Sequence, residues 1–169
     1  IFRWTGTIAA GTTCDEPITS VDWFPTALDL AGARAPSNYI LDGVSYKKLL
    51  LKRGKGSLRR DDLFWHFPGY LGATENTWRT TPVGMIRSGD WKLLEFFEDG
   101  RLELYNLRKD LSETRDLAKS NPRKTRELHK KLQSWRKEIN APMPAPNTPS
   151  LEPQKASPGK NQQKNGVQS

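Results

Sequence analysis

Apolar and polar positions alternate most regularly between residues 83 and 106. Val83 to Arg87, Trp91 to Phe97 and Arg101 to Asn106 each read as a strand. Ser88-Gly89-Asp90 and Glu98-Asp99-Gly100 are the turns between them, so the spacing predicts an antiparallel meander. Leu63 to Phe67 is a further compact strand, ended by Pro68-Gly69, and 71–82 reads as a polar loop. Ser120 or Asn121 before Pro122 marks a helix start. Leu128, Leu132, Trp135 and Ile139 then recur at spacings of four, three and four. They make one apolar stripe fit to lie on a sheet, with Lys and Arg on the other faces.

The first half of the chain follows a different pattern. Ile1 to Trp4 reads as the end of a strand. Thr19 or Ser20 is placed to cap a helix carrying Val21, Trp23, Phe24, Ala27, Leu28 and Ala31. Pro25 is tolerated only near a helix start, so the regular helix is expected from about Asp22, with Gly32 as its stop. Its apolar positions cover most of its surface, which predicts a well-buried helix. Tyr46 to Leu51 is a short helical piece followed by a basic loop. The predicted fold is α+β: a small antiparallel sheet packed by a C-terminal amphipathic helix. A strand end and an apolar helix in the first forty-odd residues call for a partner layer that the chain does not supply. The chain therefore reads as one that starts within a larger unit. Trp4, Trp23 and Phe24 are expected to form an exposed apolar patch.

Charge changes this picture in three places. The net charge is +8 over 169 residues. Residues 47–62 hold seven basic and two acidic side chains, and 120–140 hold the same numbers. The tail, 141–169, adds three Lys against one Glu. It is rich in Pro, Gln and Asn, which predicts disorder. A nucleic-acid binder would gather such charge on one face with aromatics interleaved, so nucleic acid is not the expected partner. No run approaches the roughly 18 apolar residues of a membrane span. One cysteine excludes an internal disulfide and any multi-cysteine metal site.

Candidate chemistry is sparse. Cys14 lies beside Asp15 and Glu16, which oppose a thiolate, so it reads as structural. His66, in Phe64-Trp65-His66-Phe67-Pro68-Gly69-Tyr70, falls on the opposite strand face from Trp65 and Phe67. A His at a strand mouth binds an anion, donates a proton, or is simply satisfied by local hydrogen bonds. His129, on the basic helix, is expected to be exposed. Asp15, Glu16, Asp42, Asp61 and Asp62 lack the spacing of a calcium loop. No phosphate loop, His-x-x-x-His pair or Gly-x-Ser-x-Gly elbow occurs.

An ordered series of segments nevertheless has a family look. It comprises Arg3-Trp4-Thr5-Gly6, then Cys14-Asp15-Glu16-Pro17, Ser20 through Gly32, and Leu41-Asp42-Gly43-Val44-Ser45. Leu63 to Pro68, Ile86 to Leu93, Leu104-Tyr105-Asn106-Leu107, Asp110 to Thr114 and Asp116-Leu117-Ala118 complete it. The series resembles the formylglycine-dependent (type I) sulfatases of the alkaline-phosphatase superfamily over roughly residues 1–147. Thr5 stands where that family has Pro.

The resemblance implies three parts. Residues 1–50 would be the last strand and helix of a truncated N-terminal α/β domain, 51–140 the C-terminal subdomain, and 141–169 a tail. It implies sulfate-ester hydrolysis, with sulfated carbohydrate as substrate, by a periplasmic or secreted parent that holds calcium and formylglycine. The Cys/Ser-x-Pro-x-Arg nucleophile motif is not matched at Cys14, because Pro17 is three residues on and Thr19 stands where Arg is required. The calcium-binding carboxylate pairs and the sulfate-holding Lys and His set are not matched either. The resemblance thus implies no catalytic, cofactor or metal residue in this chain, and the missing N-terminal domain as its partner. His66 and Tyr70 are the implied substrate-binding residues. The alternative is a non-catalytic module binding anionic polymers through its basic loop, helix and tail.

Overall fold

The computed structural model describes residues 1–74 and 77–145. Among them the elements run α1 (Trp23–Leu30), α2 (Lys47–Leu51), β1 (Asp62–Phe67), β2 (Leu71–Thr74), β3 (Thr77–Thr80), β4 (Val83–Ser88), β5 (Trp91–Phe96), β6 (Leu102–Asn106) and α3 (Pro122–Glu138). Strands β1, β4, β5 and β6 lie in that order in one antiparallel sheet, and β2 pairs with β3 as a separate hairpin. The meander and the C-terminal helix stand where the sequence puts them. The hairpin replaces the polar loop expected over 71–82. Its strands are only four residues long, too short for the alternation of Leu71 and Ala73 to stand out as a period.

The register places Phe64, Ile86, Leu93 and Leu104 in one row across the four strands. Directly paired residues share a face, so this row forms the floor of the core. α3 covers it. Ile86, Leu93, Leu104, Leu128 and Leu132 are fully buried, each burial contributing about 1.5–3 kcal/mol. Trp135 stacks on Phe64 with centroids 4.8 Å apart and planes 8° from parallel. The predicted stripe holds as far as Trp135. Ile139 lies past the helix end and is half exposed. There Asn140 turns left-handed (φ +50°) and the Ala141 N–H donates to the Arg136 carbonyl, which closes the helix.

The outer edge of β6 is not open. The Leu104 N–H donates to Asp116 Oδ1 at 2.9 Å, and the Leu104 carbonyl accepts from the Leu117 N–H at 2.8 Å. The segment before them is shaped by Asp110, whose carboxylate accepts from the Thr114 and Arg115 backbone N–H groups. Lys92 holds Glu113 in the same segment at 2.7 Å.

The N-terminal region is organised around a charge. Ser20–Asp22 is a 3-10 turn leading into α1. Asp22 is fully buried, and both its carboxylate oxygens are engaged by Arg60, at 2.6 and 2.8 Å. The Thr19 and Val44 backbone N–H groups donate to the same carboxylate. Thr26 Oγ1 donates to the Asp22 carbonyl and accepts from the Tyr46 N–H, tying α1 to the start of α2. Gly43 passes so close that a Cβ there would lie 2.2 Å from the Val21 carbonyl oxygen. A small cluster of Tyr46, Leu49 and Leu58 completes the region.

Two expectations need correction here. Residues 1–4 form no strand, since a strand needs a neighbour to complete its ladder and none of the described strands lies beside them. α1 is not well buried: Trp23 is 52% and Phe24 50% exposed. Its buried positions are Pro25 and Thr26, because α1 packs through polar anchors rather than through its aromatic face. The expected exposed patch of Trp4, Trp23 and Phe24 is present. Beside it a groove of about 860 Å³ is lined by Phe2, Trp4, Ile18, Tyr46 and Leu49 among others. The expectation of disorder over 141–169 falls, from residue 146 onward, outside the described residues.

Candidate functional site

β1 delivers His66 near its C-terminal end. The register puts His66 beside Gly84, and Gly84 beside Glu95, so all three face α3. The His66 Nε2 lies 2.6 Å from the Pro142 carbonyl oxygen. A carbonyl only accepts, so Nε2 carries the proton and Nδ1 holds the lone pair in the neutral ring. Nδ1 is buried and has no hydrogen-bond partner among the described residues. The ring leans on Phe97 with centroids 5.4 Å apart.

Tyr70 follows β1 and is half exposed. Its hydroxyl donates to Glu98 Oε1 at 2.6 Å. That hydrogen bond first, then burial and the Glu98 charge, push the phenol above its ordinary range. His66 and Tyr70 therefore meet consecutive residues, Phe97 and Glu98, at the turn leaving β5. The two side chains themselves have different polar partners.

Beneath that turn is a charged group that periodicity did not reveal. Glu95 stands between Arg136 (Nη2 to Oε2, 2.7 Å) and His129 (Nε2 to Oε1, 3.0 Å). The Arg136 contact is an ion pair and the His129 contact a close polar approach, though neither is aligned as a hydrogen bond. The Arg136 guanidinium also lies over the Phe97 ring, 5.1 Å from its centroid. His129 is thus half-buried against a carboxylate, not exposed as expected. It sits one residue after Leu128, on the flank of the apolar stripe that faces Glu95. Gly84 makes room for this arrangement, since a Cβ there would lie 3.0 Å from Phe97 and 3.4 Å from Arg136 Nη1.

The Asp22–Arg60 pair is the other missed feature. Burial pushes the Asp22 carboxyl up, but hydrogen bonds from Arg60, Thr19 and Val44 and the Arg60 charge outweigh it and hold it below the carboxylate range. The partners are 38 residues apart, so no local pattern could announce them. Cys14 is free and exposed. Among the described residues no group of three or more His, Cys, Asp or Glu is placed to hold a metal ion. The described side chains do not fit a calcium site.

The chain thus joins a small antiparallel sheet under one helix to an α-helix anchored on a buried Asp–Arg pair. The family described as "N-sulphoglucosamine sulphohydrolase, C-terminal" matches residues 1–139, and the chain belongs to it. A sulfatase of Formosa agariphila is 33% identical over 155 residues, covering 84% of this chain and 27% of that protein. Human steryl-sulfatase is 41% identical over 76 residues, covering 43% of this chain and 12% of the enzyme. Among solved structures, BT4656 in complex with its substrate D-glucosamine-2-N,6-O-disulfate matches 83% of this chain and 28% of its own, with a TM-score of 0.66 and 28% identity. The chain spans about a quarter of the length of the Formosa agariphila relative.

Proposed function

We propose that this chain is the C-terminal part of a sulfatase that hydrolyses sulfate esters of sulfated carbohydrates. One observation carries the reading: the fold recurs over 83% of the chain in BT4656, whose own substrate is a sulfated glucosamine. Residues 1–50 would finish an N-terminal α/β domain, and that domain would supply formylglycine, calcium and the sulfate-binding side chains. The exposed aromatics Trp4, Trp23 and Phe24 and the adjoining groove support this. An apolar surface of that kind marks an interface. The domain would lie against them, and the sheet and α3 would wall one side of the substrate cleft.

Tyr70 and His66 would meet the sugar from that wall. Tyr70, just past β1, is half exposed, with its hydroxyl held by Glu98. His66 stands four residues earlier near the end of β1, with the edge of its half-buried ring beside Pro142. Neither would take part in breaking the sulfate ester. Their contribution would be to orient the sugar, and so to lower KM.

The test is sulfate release from glucosamine 6-sulfate and from sulfated disaccharides. The protein encoded by the full reading frame is expected to release sulfate, and the 169-residue chain alone is not. Absence of release by the full-frame protein from a panel of sulfated sugars would overturn the reading. In that protein His66→Ala and Tyr70→Phe are expected to raise KM with kcat little changed. An unchanged KM in both would remove these two residues from the site while leaving the reaction class intact.

A further inference from the structure

α3 has two unlike solvent faces. At about 100° per residue, Arg123, Arg126, Lys130 and Lys137 fall within about 60° of one another around the helix. They lie nearly opposite the buried line of Leu128 and Leu132. All four are exposed, and among the described residues none takes part in an ion pair or hydrogen bond. On the neighbouring flank the cations are already neutralised: Lys124 pairs with Glu127 at 2.7 Å, and Lys131 with Asp62 at 2.9 Å. Glu138 falls toward that paired flank, and Glu127, bonded to Lys124, lies between it and Arg123, whose charge it also feels. The unpaired cations run from Arg123 to Lys137, about 21 Å at 1.5 Å per residue. Between Lys130 and Lys137 the stripe carries neutral Gln133 and Ser134.

We infer that this stripe is a binding track for a sulfated polysaccharide, separate from the residues proposed to orient the sugar whose ester is cleaved. A row of unpaired cations keeps its full attraction for a polyanion, whereas the paired flank has lost it. The stripe contains no aromatic side chain. α3's one Phe, Tyr or Trp residue, Trp135, is partly buried and stacked on Phe64, away from the stripe. Single-stranded nucleic acid is held by stacking on such faces, so a carbohydrate polyanion is the better fit. The inference deepens the proposed function by naming a second, non-catalytic contact with the same class of substrate. It does not need the ester to be hydrolysed.

The experiment measures retention of the 169-residue chain on immobilised heparin across a salt series. It compares the chain with an R123Q/R126Q/K130Q/K137Q variant and with a K52Q/R53Q/K55Q/R59Q variant of the basic loop. Gln keeps helix propensity, and circular dichroism checks that α3 persists. The helix variant is expected to elute at clearly lower salt, with its log–log salt slope reduced by about 3, as for four contacts to a flexible polyanion. The loop variant is expected to move less. Equal losses in the two variants would show a net-charge effect and overturn the track. So would unchanged retention of the helix variant, equal binding to desulfated heparin, or stronger binding to DNA than to heparin. Since no outcome depends on sulfate release, failure of the track leaves the sulfatase reading standing, and the reverse also holds.

Discussion

The two halves of this molecule are held together by opposite means. The sheet and α3 enclose five fully buried aliphatic side chains, and the one buried charge there, Arg136, is paired with Glu95 beside them. The N-terminal region buries a carboxylate at its centre and leaves its largest aromatics half exposed. In the first, apolar burial drives folding and polar groups adjust to it. In the second, a four-donor polar anchor fixes the chain and the apolar surface is turned outward. Hydrophobic patterning is therefore a good guide to the first region and a misleading one to the second.

The difference can be broken most sharply at Asp22. Asp22→Ala leaves Arg60 without its buried partner, a loss of about 3–5 kcal/mol. Amide exchange is expected to accelerate throughout residues 17–60, while α3 stays protected. Uniform acceleration over both regions would show that they unfold as one. The counterpart is Leu132→Ala, expected to cost about 2–5 kcal/mol in urea unfolding followed by α3 helicity.

The two regions should also fail at opposite ends of the pH scale. The Asp22 carboxyl is held below its ordinary value, so its contribution is present above about pH 4 and is lost as pH falls through the folded value. The Tyr105 phenol is pushed up to about 12 by burial, by its hydrogen bond to Glu103 and by nearby carboxylates. Its contribution is complete below about pH 10 and is lost as pH rises toward 12. Acid is expected to loosen residues 17–60 first, and alkali the sheet. Amide exchange at the two extremes, with tyrosinate absorbance followed on the alkaline side, would decide it. The smallest effect is expected from Trp23→Ser: within about 0.5 kcal/mol, because the indole is already half in water. A loss of several kcal/mol on thermal melting would mean that this aromatic surface is packed in solution.

The same contrast explains what the sequence could reveal. The meander was legible because its strands alternate and its turns are short. Gly89, at φ +55°, begins a two-residue turn that few other residues allow. α3 was legible from Leu128, Leu132 and Trp135. Arg136 could have been read as well, since it lies four residues after Leu132 on the buried face, where a charge needs a partner. Asp22 and Arg60 could not, because a long-range ion pair leaves no periodic trace. The order of segments including 20–32, 41–45 and 110–118 carried the family resemblance before its physics was visible. In the fold these are the segments that make up the Asp22 anchor, the Gly43 close approach and the Asp110 turn.

The way β6 ends the sheet has a consequence for life in a crowded solution. An outer strand with free N–H and carbonyl groups is a template on which another chain can add itself. Here Asp116 and Leu117 occupy the donor and the acceptor of Leu104 at the middle of that strand. A side chain on one and a main-chain amide on the other act as a stopper, so polymerisation through this edge would first have to strip both away. Asp116 and Leu117 thereby cap this edge at Leu104.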